Sequence, residues 1–509
     1  MYKTVSVLCF LLAASLQLKA QVLPAEGSKL NYRLIGFSFP ARPQTSEYKI
    51  EIAEGTYTTK SSFEKNIIKK EDCKTNKKII EVPSFGTEYT WRVVYKGSST
   101  AMNNDLHHFT TKTIPDVDID VCRLRVLKGA QAYNDAYVFV DGNNALYDMA
   151  GKPVWFPYIK GLDSVQSLRD MKLTPRGTIT FVLGDQAFEI NYNGDVLWRA
   201  PNNGAVSGDS WEHYHHELTR LKNGHYMILG NEWALSKLPD ATDPSMHIIN
   251  DDKGKPEGDN AAYKRIFLGT VIEYGDTGNV VWSWKSSNYF IGSDVDNYRN
   301  PNPKDKYNID VHENSFFFDE AAKNMYISFK SLNRIIKVKY PEGNVLAAYG
   351  EIYQPEQPAT GNGLFCGQHC CLHSQDGTLL VYNNNSCNPT SVPQIIALEE
   401  PASANEGLKK VWEYQCTTED SSDNSQLKYG WPSGGNIVQL PDNSLFACMG
   451  GTYSKVFIVN HDKKVLWSAL PERWYPDQKK WLPATGYRAS IITNYKAFEA
   501  LVWNEELKE

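Results

Sequence analysis

Six times along the chain a turn is followed by apolar residues, ending in a tryptophan in five of the six: AGKPVW, NGDVLW, TGNVVW, EGNVLA, EGLKKVW and DKKVLW. They close near Trp155, Trp198, Trp282, Ala347, Trp412 and Trp467. A unit recurring every roughly 40–85 residues suits four strands plus loop insertions, and it cannot bury its apolar face alone, so neighbours must stack. Between the turn signals the segments are short, with almost no helical periodicity. The expected fold is therefore all-β, a six-bladed β-propeller over residues 120–505. The most loop-like insertion is 238–262, LPDATDPSMHIINDDKGKPEGDNAA.

A second signature precedes the first in five of the repeats: an apolar-alternating strand, a polar turn and another strand. The segments are RDMKLTPRGTITFVLG, HELTRLKNGHYMILGN, HENSFFFDEAAKNMYISFKS, HCCLHSQDGTLLVYNN and GNIVQLPDNSLFACMGG. Aligned on their turns, they place Arg169, His216, His312, His369 and Gly435 at one equivalent position, the start of the innermost strand. In a propeller such positions face one another around the central channel. The antiparallel return strand brings its far end beside them, which adds Gly184, Asn231, Asn384, Gly450 and, after a longer turn, Lys330. A lone strand histidine is usually a surface or core residue; three in register point to a shared site. His213 and His215 fall outside this register and read as bystanders.

Ahead of the repeats, YKIEIAEG, TEYTWRVVYKG and HHFTTKT alternate apolar and polar residues, and SFGTEYTWRV resembles a late strand of a fibronectin type III-like module. Residues 25–113 are expected to form an N-terminal β-sandwich, joined through TIPDVDID. The first twenty residues, with Lys3 ahead of an apolar run from Val5 to Leu16 and Ala20 before Gln21, read as a signal peptide cut after Ala20. That implies export, and a periplasmic location. The net charge of −6 without a basic block gives no reason to expect nucleic acid or an anionic membrane as partner. Cys366, Cys370, Cys371 and Cys387 crowd around His369, where a local disulfide suits an oxidising compartment; the pairing is open.

Three converging histidines could hold zinc. No carboxylate recurs at the ring, however, and Lys330 and Arg169 would repel a cation, so an oxyanion suits the set better and no cofactor is expected. Trp211, Tyr214, Tyr307, Tyr429 and Trp431 precede the anchors and could stack on an aryl ring.

DVHENSFFFDEAAKNMYISFKSLNRIIKV, GQHCCLHSQDGTLLVYNNNSC and HHELTRLKNGHYMILGNEW resemble the bacterial arylsulfate sulfotransferases, over roughly residues 120–500. The resemblance implies an exported propeller that moves a sulfuryl group from a phenolic sulfate ester to a phenol, without a nucleotide sulfate donor or metal. It implies that His369 becomes transiently sulfated, with His216, His312 and Asn314 beside it and Ser433 as the matching hydroxyl. One position departs: Lys330 stands where the family has arginine. Lysine keeps the charge but loses the bidentate fork, and Arg334 is the nearby cation that could compensate. Arg169, Trp431 and Tyr429 complete the expected substrate contacts. The N-terminal module could support a homodimer. The competing classes are a non-catalytic propeller that binds a glycan or protein, a histidine-metal hydrolase, and a sulfatase. The Cys-x-Pro-x-Arg motif of the last does not occur.

Overall fold

The computed structural model describes residues 22–507 apart from 43–44, 46, 97–104, 114–121, 163–167, 238–246, 250–262, 291–293, 295–307, 351–363, 388–391, 402–406, 417–432 and 453. The expected signal segment, most of the 238–262 insertion, Tyr307, Tyr429 and Trp431 lie outside the described residues. The chain is all-β with two short α-helices among the described residues, and it divides into two compact units between Lys112 and Thr113. No helix there is long and apolar enough to cross a membrane.

In the first unit a five-stranded sheet runs in the order Ser28–Leu30, His107–Thr111, Glu88–Tyr95, Tyr48–Glu54 and Ile67–Cys73. A two-stranded sheet pairs Leu34–Ser38 with Lys77–Glu81. Phe37 of the small sheet meets Trp91 and Phe109 of the large one edge-on, at 4.9 and 6.0 Å between ring centres. The Tyr89 hydroxyl accepts from the Ser84 N–H at 3.0 Å and donates to the Ser84 carbonyl at 3.1 Å, fixing the turn into its strand.

The second unit holds six sheets built on four antiparallel strands each. Sheet I takes Ala489–Ile492, Tyr137–Val140, Ala145–Asp148 and Pro153–Trp155. Sheet II takes Leu168–Leu173, Ile179–Leu183, Gln186–Ile190 and Val196–Arg199. Sheet III takes His215–Arg220, Tyr226–Lys237, Tyr263–Tyr274 and Val280–Lys285, with two short flanking strands. Sheet IV takes Glu313–Asp319, Asn324–Phe329, Arg334–Lys339 and Val345–Gly350. Sheet V takes Cys370–His373, Leu379–Asn383, Gln394–Glu399 and Lys409–Gln415. Sheet VI takes Asn436–Gln439, Leu445–Met449, Lys455–Val459 and Val465–Tyr475.

The first strands of the six sheets neighbour one another in sequence order, and the strand of sheet VI neighbours that of sheet I. Both ends of the unit contribute strands to these sheets. Ala489–Ile492 supplies the first strand of sheet I, and Cys122–Lys128 adds to the outer strand of sheet VI. Apolar side chains fill the seams: Leu229, Val271, Phe316, Ile327 and Ile336 lie in one buried cluster spanning sheets III and IV. Each such side chain contributes about 1.5–3 kcal/mol by leaving water.

The repeat's tryptophan explains its own recurrence. The indole N–H of Trp155 donates to the Tyr192 carbonyl at 3.1 Å, Trp282 to Pro341 at 2.8 Å and Trp412 to His461 at 2.8 Å. Trp467 donates to Met149 at 3.0 Å, which ties sheet VI to sheet I. Every acceptor sits in the turn before the outer strand of the next sheet, so each indole latches two neighbours and adds about 1 kcal/mol. Two positions depart from the pattern. Trp198 stacks on Tyr226 with ring centres 3.7 Å apart, and sheet IV carries Ala347.

Candidate active site

Three of the first strands are irregular at the same place. Their ladders shift register between Arg169 and Lys172, between His215 and Leu218, and between Glu313 and Ser315. Asp170, His216 and His312 take left-handed backbone there, with φ of +56°, +56° and +54°. That conformation costs a non-glycine residue about 1–2 kcal/mol. Bulges of this kind turn side chains toward a site that a regular pleat would miss.

The result is a contiguous array of rings. The imidazoles of His216 and His312 lie 5.2 Å apart between centres, and those of His312 and His369 lie 6.1 Å apart. The ring of Tyr487 closes the circuit, 5.6 Å from His216 and 5.9 Å from His369. Among the described residues no three His, Cys, Asp or Glu side chains are grouped to hold a metal ion.

His369 is 1% exposed and sits just before its strand, where its N–H donates to the Tyr382 carbonyl at 3.0 Å. Its Nδ1 lies 3.2 Å from the Gly367 carbonyl and is also contacted by the Asn384 amide. Both contacts fall on Nδ1, so Nε2 is the ring nitrogen without a hydrogen bond among the described residues. Burial, reinforced by the charges of Lys330 and His312, holds its pKa well below the ordinary imidazole range. The ring is therefore neutral at neutral pH. His216 is depressed in the same direction, by burial and then by His215 and His312.

A disulfide between Cys366 and Cys387 settles the open pairing and leaves Cys370 and Cys371 as thiols. It brackets the two groups that hold His369, since Gly367 follows one cysteine and Asn384 precedes the other by three residues. A bridge closing a loop of this size stabilises by ~3 kcal/mol. Cys366→Ser with Cys387→Ser is expected to lower the urea midpoint accordingly, measured by equilibrium unfolding.

His312 has a partner that no repeat revealed. Its N–H donates to Asp310 Oδ1 at 2.7 Å, and its Nδ1 lies 3.2 Å from Asp310 Oδ2. Burial alone would raise the Asp310 carboxyl, but the hydrogen bond and charge of His312 hold it below the usual value. His215, expected as a bystander, faces His216 with Nδ1 to Nδ1 at 2.7 Å, and burial pushes its pKa down to about 4.

Lys330 follows the second strand of sheet IV, and its N–H donates to the His312 carbonyl at 2.9 Å. Burial lowers the ammonium pKa while Asp310 opposes that. Its Nζ has no hydrogen bond or ion pair among the described residues, so a charge stands free beside the rings. Asn314 is fully buried, and its amide donates to the Gln368 carbonyl at 2.7 Å, tying sheet IV to the residue before His369. Arg169 is exposed, with its guanidinium 4.7 Å from the centre of the Tyr487 ring. Ser433 is partly exposed and precedes Gly434, whose carbonyl accepts from Asn384 at 3.2 Å.

Two expected contacts are placed elsewhere. Arg334 is 1% exposed and its NH1 pairs with Asp294 at 2.9 Å, so its charge is committed inside the protein rather than offered to an anion. Tyr214 is buried, with its hydroxyl on the Pro201 carbonyl and 2.8 Å from that of Tyr274, which makes it packing rather than an aryl platform.

Tyr487 and Arg488 were not expected. The Tyr487 hydroxyl is buried without a hydrogen-bond partner among the described residues, and burial pushes its pKa up to about 12. Asp141 accepts the backbone N–H of both residues, at 2.9 and 2.7 Å. The pair precedes the C-terminal strand of sheet I, whose other strands all lie between Tyr137 and Trp155, so no intact repeat marks it.

A family model described as Arylsulfotransferase (ASST) matches residues 94–406. No curated protein matches the chain. Among solved structures, a protein of unknown function from Bacteroides caccae is 13% identical over 70% of this chain and 98% of its own, with a TM-score of 0.38. The periplasmic gluconolactonase PpgL of Pseudomonas aeruginosa is 10% identical over 88% of this chain and 100% of its own, with a TM-score of 0.35. Neither bears on what the site does.

Proposed function

The chain belongs to the arylsulfotransferase (ASST) family, whose model spans more than half of it, and from that premise we propose that it moves a sulfuryl group from a phenolic sulfate ester to a phenol by way of His369. The family supports aryl sulfotransferase activity and small-molecule substrates in general; the histidine intermediate and the independence from a nucleotide donor are our reading. The six sheets, with first strands in a closed circle, read as blades of a propeller, and the first unit as a fibronectin type III-like sandwich with its tyrosine corner at Tyr89. A periplasmic location belongs to the same reading.

The observation that carries the proposal is the state of His369: neutral, held at Nδ1, among two further imidazoles and the charge of Lys330, with neither Nε2 nor the Lys330 ammonium hydrogen-bonded among the described residues. An imidazole so arranged is an activated nucleophile. Nε2 attacks sulfur and forms the N–S bond as the bond from sulfur to the phenolic oxygen breaks. The electron pair leaves with that oxygen, which takes a proton from His312. Asp310 steadies the imidazolium before the transfer, and Lys330 offsets charge on the sulfuryl oxygens. In the second half His312 accepts the proton of the incoming phenol, whose oxygen attacks sulfur and releases neutral His369.

Steady-state rates measured with a chromogenic phenyl sulfate at several phenol concentrations are expected to give parallel double-reciprocal lines, with release of the first phenol dependent on an acceptor and unaffected by EDTA. Intersecting lines would contradict the covalent step. Loss of activity in EDTA would favour the histidine-metal hydrolase, release without an acceptor a sulfatase, and absence of turnover a binding protein.

A further inference from the structure

We infer that Arg488 is a positioning residue for the transfer, holding the three histidine-bearing strands in one geometry through their backbones. Its NH1 donates to the His216 carbonyl at 3.2 Å, and its NH2 donates to the carbonyls of Asn314 at 2.6 Å and His369 at 3.4 Å. These belong to sheets III and IV and to the segment entering sheet V, while Arg488 itself leads into the first strand of sheet I. One planar group thus fixes elements that are 119 to 272 residues away in the chain.

The charge is compensated underneath. NH1 also donates to Asp170 Oδ1 at 2.9 Å and lies 3.6 Å from Glu217 Oε2, and Lys172 reaches the same two carboxylates at 3.0 and 2.8 Å. Arg488 is 4% exposed. A buried guanidinium with carboxylates on one side can spend its remaining donors on carbonyls, and its rigid fork sets their separation, which a single ammonium cannot do. The carbonyls it grips are those of His216 and His369 themselves and of the residue two beyond His312. Moving Arg488 therefore moves the rings. Since Arg488 arrives with the closing strand, the array is complete only once the ring of sheets is closed.

This inference rests on the proposed transfer, and the test separates the two. Arg488→Lys keeps the charge and removes the fork. In the full chain it is expected to fold, with far-ultraviolet circular dichroism unchanged, and to lower kcat for transfer from a phenyl sulfate to a phenol by about 100-fold, because misplacing reacting groups by an ångström costs that much. KM for the donor is expected to change less than about threefold, since substrate contacts remain. Lys172→Gln, which removes the other cation of the cluster and touches none of the three carbonyls, is expected to keep kcat within about threefold. Equal losses in both variants would overturn the proposal in favour of simple charge balance, and so would wild-type kcat in Arg488→Lys. Should Arg488→Lys not fold, Arg488→Gln with Asp170→Asn, which preserves the balance of charge, is judged by the same criteria. Failure of both to fold while Lys172→Gln folds would make Arg488 a folding residue and overturn the proposal. A wild-type protein without any transfer would instead defeat the transfer reading.

Discussion

Replacing His369 by asparagine is expected to lower transfer from a phenyl sulfate by about 10⁴-fold or more, the scale on which loss of a covalent nucleophile acts. The substitution keeps a polar group near Gly367 and Asn384, so folding should survive, and thermal unfolding of the variant checks that. His216 is also neutral, with its Nδ1 engaged by His215. The pH profile follows from the same facts. His369 is depressed by burial, Lys330 and His312, so the acid limb of kcat/KM that it sets lies below about pH 6.5, the ordinary imidazole value. The stability of the fold runs the same way. His369 and His216 bind protons more weakly when folded than when unfolded, so the unfolded chain gains protons first and stability falls as pH drops through about 6.5.

The second large effect is expected at His312. His312→Asn removes the proposed general acid for the leaving oxygen, and the loss should be about 10²–10⁴-fold. Its size should depend on the donor. A phenol of low pKa leaves without help, so nitrophenyl sulfate suffers least, while an unsubstituted phenyl sulfate suffers most. Rates of the variant and the wild type across a series of substituted phenyl sulfates test this. An equal loss for all donors would move the acid role elsewhere. Asp310→Asn should show the same trend at smaller amplitude, because it weakens the imidazolium rather than removing it.

Much of this architecture is visible in the amino-acid pattern because the same physical need recurs. The turn-apolar signature marks the outer strand of all six sheets and ends in tryptophan in five, and at four of them the indole latches onto the next turn. His216, His312 and His369 fall in register because each enters the first strand of its sheet. Other features escape for identifiable reasons. The rule that neighbours on a strand face opposite ways fails where the ladder slips between His215 and Leu218, which is why His215 joins the array. Asp310 acts on a residue two positions away, and no repeat distinguishes it from a loop acid. Arg334 opens a third strand, and burial against Asp294 removes it from any anion. Tyr487 and Arg488 precede the strand of sheet I that comes from the C-terminal end of the unit, while its other strands come from the N-terminal end.

The most direct test is mass spectrometry of enzyme mixed with a phenyl sulfate in the absence of acceptor, quenched in alkali and digested. One sulfuryl group on the peptide that contains His369, discharged when a phenol is added before the quench, is the predicted result. A fully active enzyme whose His369 peptide stays unmodified under these conditions would contradict it.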